Sequence, residues 1–185
     1  MSLALLIAET IARLDRAEVP YMITGSVASS FHGQPRSTRD LDIVIDPDRH
    51  GTERLIQELE RGGLYVDRAV ALGAFEVSTQ FNAIDGAAGW KIDFMLRKDR
   101  PFSREEFRRR VRSDLLGTLA WIASPEDTIL AKLEWAAATD SHRQLGDVAA
   151  MLDVGAGSLD LAYVDRWVSD LGLRATWDTM QALRS

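Results

Sequence analysis

The sequence predicts a protein of the α/β class, in which a mixed half of roughly 115 residues precedes a helical half. Residues 41–45 and 90–96 alternate apolar and polar side chains, which is the period of a strand. Residues 3–16 repeat apolar side chains with the period of a helix, as does the chain beyond residue 124. We therefore expect an α+β core over 1–115 and a helical region over 116–185 packed on it.

Composition limits the kinds of protein that this chain can be. Its 185 residues are 46% hydrophobic, which suffices for one core with a helical extension. The chain has no cysteine, which excludes a disulfide framework, a thiolate zinc site and a cysteine nucleophile. No apolar run reaches the ~20 residues that span a bilayer, and the N-terminal run lacks a basic leader. We expect a soluble, cytoplasmic protein.

Charge is distributed unevenly along the chain. The net charge of −6 argues against a dedicated nucleic-acid binder. Residues 97–112 nevertheless hold eight basic side chains against three acidic ones. Such a segment is most often a solvated helix face, and the alternative is an acceptor site for RNA or an acidic protein.

The first elements follow from local pattern. Residues 3–16 form an amphipathic helix, and Val19-Pro20 ends it. A short buried strand over 21–23 ends at Gly25, and a short helix begins at Ser26. Residues 33–39, punctuated by glycine and proline, form a loop.

The clearest strand covers residues 41–45. Its alternation puts Asp40, Asp42 and Val44 on one face and Leu41, Ile43 and Ile45 on the other. We expect a helix to follow, with Asp46 as its N-cap, and to end near Arg61.

The middle of the chain is expected to be rich in strands. Residues 65–84 include a run in which Phe75, Val77, Thr79 and Phe81 alternate. Residues 90–96 form a further strand, and a basic helix with few apolar contacts covers 103–112. Ser124-Pro125 then opens the helical half. Its helices are expected at about 125–139, 142–153, 158–171 and 174–184.

Paired carboxylates are the first candidate for chemistry. Asp40 and Asp42 lie about 7 Å apart along one strand face and can converge on a hard cation such as Mg²⁺. Asp93, on a neighbouring strand, would complete a site of the two-metal kind. The alternative is an ordinary solvated strand face.

The corner at Gly25-Ser26 strengthens the catalytic interpretation. A strand that ends in glycine before a helix offers free backbone N–H groups to a phosphate. Gly-Ser is also a common turn, so the corner alone is weak evidence. Thirteen residues separate Ser26 from Asp40.

Together these residues resemble a known family. Ile23-Thr24-Gly25-Ser26, a gap of thirteen, and Asp40-Leu41-Asp42-Ile43 resemble the motif of the nucleotidyltransferase superfamily, which has the polymerase β-like fold. Asp93 resembles the third carboxylate of that family. The helical half is similar to a small bacterial branch that includes abortive-infection-type toxins and minimal nucleotidyltransferases. The residues that carry the second similarity are Pro125-Glu126-Asp127, Lys132, Arg143 and Asp147.

The resemblance implies roles for individual residues. Gly25 and Ser26 would seat the triphosphate of an NTP. Two Mg²⁺ ions would be held by three carboxylates, Asp40, Asp42 and Asp93. Asp93 would also act as base toward the acceptor hydroxyl. Lys132 would neutralise the outer phosphates, or else be a surface lysine. Arg39 and Arg36 flank the aspartates, and either would contact phosphate or balance the acids.

The implied activity is transfer of an NMP to an acceptor hydroxyl with release of pyrophosphate. The acceptor could be a small alcohol, an RNA or a protein. The alternative is a catalytically inert nucleotide- or partner-binding module of a toxin–antitoxin pair, with a partner protein or a second copy bound. The inert alternative is disfavoured, because three carboxylates without a cation repel one another and an inert protein has no need of them.

Other candidates favour structural roles. Arg143 and Asp147 are spaced i, i+4, so an ion pair is expected. The three histidines show no ligand spacing. A Ser-His-Asp hydrolase has no nucleophile-elbow pattern to support it.

Overall fold

The computed structural model describes residues 2–184. Its strands are β1 (Tyr21–Ile23), β2 (Asp40–Ile45), β3 (Tyr65–Val66), β4 (Gln80–Asp85), β5 (Trp90–Leu96), β6 (Val111–Leu115) and β7 (Thr118–Ile122). Within the described residues they form one mixed seven-stranded sheet in the order β3-β4-β5-β2-β1-β7-β6. The structure confirms the α/β class and the mixed sheet.

Helices cover much of the remaining chain. They are α1 (Leu3–Arg16), α2 (Gly25–His32), α3 (Arg49–Arg61), α4 (Arg68–Glu76), α5 (Pro101–Arg109), α6 (Pro125–Thr139), α7 (His142–Val154), α8 (Leu161–Asp170) and α9 (Arg174–Arg184). The first helix and the four C-terminal ones begin within three residues of the expected positions. No helix within residues 2–184 is both long and apolar enough to cross a membrane.

The centre of the sheet has one buried face and one open face. β2 pairs antiparallel with β1 and parallel with β5. Leu41, Ile43 and Ile45 of β2 are fully buried in the core that the sheet shares with α1 and α3. Because side chains alternate along a strand, Asp40 and Asp42 project from the opposite face. That face carries the candidate site.

The sheet continues past residue 115. β7 runs parallel to β1, and the N–H of Ala123 donates to the carbonyl of Ile23 at 2.9 Å. Ser124 follows at once and caps α6, its side chain accepting from the N–H of Asp127. The helices of the C-terminal half enclose a second apolar core that includes Leu130, Val148 and Val164.

The strand-rich expectation for residues 65–84 is wrong in its middle, where α4 lies. Asp67 caps this helix by accepting from the N–H of Val70. Ala71 and Ala74 are buried at helical spacing. The alternation from Phe75 to Phe81 spans the end of α4 and the start of β4, so it does not belong to one element.

Two further expectations need correction. Asp48, not Asp46, caps α3, and its side chain accepts from the N–H of Gly51. Asp46 instead pairs with Arg97 at 2.8 Å. The basic helix ends at residue 109 and not at 112. Its Phe102 and Phe107 are buried, so the expectation of few apolar contacts is wrong.

Candidate active site

Asp42 and Asp93 face each other across two parallel strands. They are partners in the register of β2 and β5, and both side chains are partly buried. Asp40 lies two residues earlier at the exposed start of β2, opposite Lys91. The structure therefore brings together the three carboxylates that the sequence singled out.

The Gly25-Ser26 corner touches this carboxylate group directly. Thr24, at the N-cap of α2, makes no side-chain capping bond. The N–H of Ser26 instead donates to Oδ2 of Asp42 at 3.3 Å. Gly25 has φ +63°, and a Cβ at this position would overlap the Asp42 carboxylate. Glycine is required here by both backbone conformation and close approach.

The charge state of Asp42 reflects its surroundings. Burial raises the pKa of this carboxyl above its ordinary value, and the nearby charges of Asp93 and Asp40 raise it further. The N–H of Ser26 and the ammonium of Lys132 act in the opposite direction. A carboxyl whose ionisation is disfavoured by two neighbouring acids is suited to binding a cation.

Lys91 supplies a positive charge inside the group. Its ammonium lies 2.8 Å from Oδ2 of Asp93 and 3.8 Å from Oδ1 of Asp40. The contact with Asp93 raises the pKa of Lys91, which stays charged. As the side chains stand in residues 2–184, no three acidic or imidazole groups converge closely enough to hold a metal. The oxygen donors suit Mg²⁺ once Lys91 releases Asp93.

Lys132 approaches the aspartates from the helical half. Its side chain is 4% exposed. The ammonium donates to Oε1 of Gln144 and to Oδ2 of Asp147, both at 2.7 Å. Burial lowers the pKa of Lys132, and the contact with Asp147 opposes that shift. The lysine of α6 is thus held by two residues of α7 and is not a surface side chain.

Arg36 joins the corner to the helical half. Its guanidinium donates to Oγ of Ser26 and lies 3.3 Å from Oδ2 of Asp147. Its Nε is buried and has no hydrogen-bond partner among residues 2–184. Arg39 is exposed and lies beside Gly89, away from this network. An unpaired buried donor at the corner is suited to an anionic oxygen.

The expected ion pair between Arg143 and Asp147 does not form. Asp147 pairs with Lys132 and Arg36 instead, while Arg143 is exposed. Gln144 was not singled out by the sequence, since an amide on an amphipathic helix carries no local signal.

The basic segment 97–112 is largely paired within the protein. Arg100 binds both oxygens of Glu134, and Arg109 contacts Glu126 and Asp127 at 3.2 Å. Arg104 and Arg108 pair with acids of the same segment. Most positive charges of this segment are therefore neutralised by acidic side chains of the same protein.

Known proteins resemble this chain in structure but not in sequence. No protein-family model matches the chain, and no curated protein matches it in sequence.

Solved structures do match over most of the chain. ANT(2'')-Ia in complex with adenylyl-2''-tobramycin has a TM-score of 0.63 at 17% identity, over 96% of this chain and 99% of that one. The lincosamide antibiotic adenylyltransferase LnuA, lincomycin-bound, has 0.57 at 14% identity, over 83% and 98%. An antigenic nucleotidyltransferase-like protein from Paracoccidioides brasiliensis has 0.54 at 16% identity, over 94% and 91%. The chain therefore has the nucleotidyltransferase fold, as the motif at residues 23–43 predicts.

Proposed function

We propose that this protein is a nucleotidyltransferase that moves an NMP from an NTP to the hydroxyl of an acceptor. The observation that carries the proposal is the pairing of Asp42 with Asp93 in strand register beside the Gly25-Ser26 corner. Two proteins of the same fold support it: ANT(2'')-Ia in complex with adenylyl-2''-tobramycin, and the lincosamide antibiotic adenylyltransferase LnuA.

The triphosphate binds at the corner. The N-terminus of α2 offers backbone N–H groups and the positive end of a helix dipole. Arg36 and Lys132 add positive charge on this side of the site. Ser26 is bonded to both Asp42 and Arg36, so it links the phosphate and carboxylate parts of the site.

Asp40, Asp42 and Asp93 hold divalent cations in this proposal. Mg²⁺ held by these carboxylates would supply charge neutralisation for the phosphate oxygens. Lys91 must move off Asp93 for that carboxylate to become a ligand. Its stem is 42% exposed, so the side chain has room to swing into solvent.

The transfer step is an in-line displacement. The acceptor oxygen forms a bond to the α-phosphorus, and the bond to the leaving pyrophosphate breaks with its electron pair. The hydroxyl proton passes to the carboxylate of Asp93. The protein contributes positioning and charge neutralisation, and no covalent intermediate is needed.

The acceptor is a small molecule in this proposal, not RNA or an acidic protein. A polyanionic acceptor needs free positive charge, and Arg97, Arg100 and Arg109 are already paired with acids. Tobramycin and lincomycin are suitable first acceptors to test, because ANT(2'')-Ia forms a complex with adenylyl-2''-tobramycin and LnuA binds lincomycin.

Thermal unfolding with each NTP, with and without Mg²⁺, tests nucleotide binding. We expect an Mg²⁺-dependent rise in unfolding temperature for wild type and none for Asp42→Ala. Asp165→Ala is the matched control, since Asp165 is exposed on α8 and pairs only with Arg174 among the described residues. A rise in unfolding temperature that does not require Mg²⁺, or no rise with any NTP, would contradict the proposed nucleotide site.

Label transfer tests the reaction itself. Wild type is incubated with α-labelled NTPs and tobramycin, lincomycin or a cell extract, and products are resolved by chromatography. Transfer that is lost in Asp93→Asn supports a base at that position. Binding of Mg²⁺–NTP without transfer to any acceptor would favour the inert module of a toxin–antitoxin pair.

A further inference from the structure

A cavity of about 600 Å³ adjoins the aspartate pair. Its floor includes Val44 and Met95, which are partners across β2 and β5. Each follows its aspartate by two residues on the same face of the sheet, so the cavity begins about 7 Å from Asp42 and Asp93. Helices α5 and α6 form its walls.

Most of the charge that lines this cavity is already paired. Arg97 contacts Asp46, and Arg100 binds Glu134 through two nitrogens. The wall from α6 is apolar apart from Glu134 and includes Trp135, whose side chain is 57% exposed despite its size. The cavity therefore combines apolar surface with few free charges.

Lys98 also lines the cavity but is exposed to solvent, so the buried exception is Glu106. Its side chain is only 9% exposed, lines the cavity from α5, and has no ion pair or hydrogen bond within residues 2–184. Of the two nearby cations, Arg100 is held by Glu134 and Ser103, and Lys98 is exposed to solvent. A buried carboxyl without a partner is costly, and the charge of Asp127 adds to that cost. A ligand that brings a positive charge would remove the cost.

We infer that this cavity binds the acceptor, and that Glu106 receives a protonated amine of a small hydroxylated molecule. The inference rests on the proposed function, because it assigns the acceptor side of the same site. The amine lies against Glu106, the apolar face of the molecule lies against Trp135, and a hydroxyl reaches toward Asp93.

Proton release is one consequence. Burial raises the pKa of Glu106 to about 8, so most of these carboxyls carry a proton at pH 7 before a ligand binds. An ammonium favours the ionised form. Binding of an amine at pH 7 should therefore release close to one proton, whereas binding of a neutral sugar should release none.

A pair of disaccharides provides the test. Chitobiose carries amines where cellobiose carries hydroxyls, and both are small enough for the cavity. Isothermal titration without nucleotide or metal, in buffers of different ionisation enthalpy, gives affinity and proton release together. We expect wild type to bind chitobiose at least tenfold more tightly than cellobiose and to release about one proton.

Variants locate the effect. Glu106→Gln should lose the preference for chitobiose, and Glu105→Gln, at the neighbouring and only partly buried position on α5, should keep it. Trp135→Ala should weaken both sugars alike, because its ring contacts carbon and not the amine. The inference is overturned if wild type binds neither sugar, binds both equally, or keeps its preference in Glu106→Gln. Because no nucleotide is present, these outcomes leave the Mg²⁺–NTP test of the proposed function untouched.

Discussion

Lys91 Nζ lies 2.8 Å from Asp93 Oδ2, so the protein carries a cation of its own among the carboxylates of the site. The same ammonium lies 3.8 Å from Asp40. A metal ion that binds Asp93 must displace this ammonium and also bear its repulsion. If the carboxylates hold a metal as proposed, Lys91 would limit the affinity for that metal in the absence of nucleotide.

Lys91→Gln should bind Mn²⁺ more tightly than wild type when no nucleotide is present. Removal of the competing charge is expected to lower the dissociation constant about tenfold, which corresponds to roughly 1.4 kcal/mol. Electron paramagnetic resonance of free Mn²⁺ measures it. Lys98→Gln removes an equal charge from an exposed side chain outside the carboxylate group and should change little. Equal Mn²⁺ affinity in Lys91→Gln and wild type would contradict the prediction.

Gly25→Ala should destabilise the protein and abolish nucleotide binding. A left-handed φ costs a non-glycine residue about 1 kcal/mol, and the new Cβ must also push the Asp42 carboxylate out of place. Gly63→Ala is the control, since φ there is +76° and nothing lies within 4 Å of its Cβ. Denaturant unfolding should show a loss in Gly25→Ala at least about 1 kcal/mol larger than in Gly63→Ala. Equal losses would mean that the contact with Asp42 is unimportant.

Lys132→Met should lower both stability and nucleotide affinity. Removing one member of a buried ion pair costs about 3–5 kcal/mol, and the low end applies here because Arg36 still contacts Asp147. Urea unfolding gives the stability change, and thermal shift with Mg²⁺–NTP gives the binding. The double variant with Asp147→Asn should lose less than the sum of the single losses. Additivity within about 0.5 kcal/mol would argue against a direct pair.

The stability contributed by Glu106 should fall as pH rises. Its pKa is raised from 4.5 to about 8 by burial and by the charges of Asp127 and Glu134, and Arg100 and Lys98 oppose the shift. The folded protein therefore keeps a proton that the unfolded chain loses above pH 4.5. This stabilisation is complete below pH 4.5 and is lost as pH rises to 8, by about 1 kcal/mol per unit.

Glu106→Gln should accordingly gain stability relative to wild type between pH 5 and pH 8. Chemical denaturation at both pH values measures the difference. The pKa of Glu105 is lowered by its bond to Arg108, so this side chain is ionised throughout the range. Glu105→Gln should therefore show a difference from wild type that does not change with pH. A flat difference for Glu106→Gln would mean that its carboxyl ionises normally.

Local pattern was sufficient for the strands and the corner that carry the aspartates. The alternation of a strand predicts that Asp40 and Asp42 lie on one face. The resemblance of the motif at residues 23–43 predicts the fold. The helix at residues 68–76 was missed because alternation across an element boundary imitates a strand. Its cap, Asp67, was the available signal.

Contacts between elements that are distant in the chain could not be predicted from local sequence pattern. Lys91 reads as a polar strand residue, and only the register with β2 brings it opposite Asp40. Gln144 and Arg36 likewise gain their significance from Lys132 and Ser26, far away in the chain. Such roles depend on tertiary packing, which periodicity does not describe.

The pairing of Ala123 with Ile23 has a consequence for dividing this protein into pieces. A cut in the turn at residues 116–117 leaves the first fragment with the aspartates and β2 but without β7, the other neighbour of β1. The second fragment keeps that strand and Lys132 but has no sheet to join. Neither piece holds a complete core or a complete site. The two fragments should therefore recover nucleotide binding only by reassociating, which makes the turn a natural position for a split reporter.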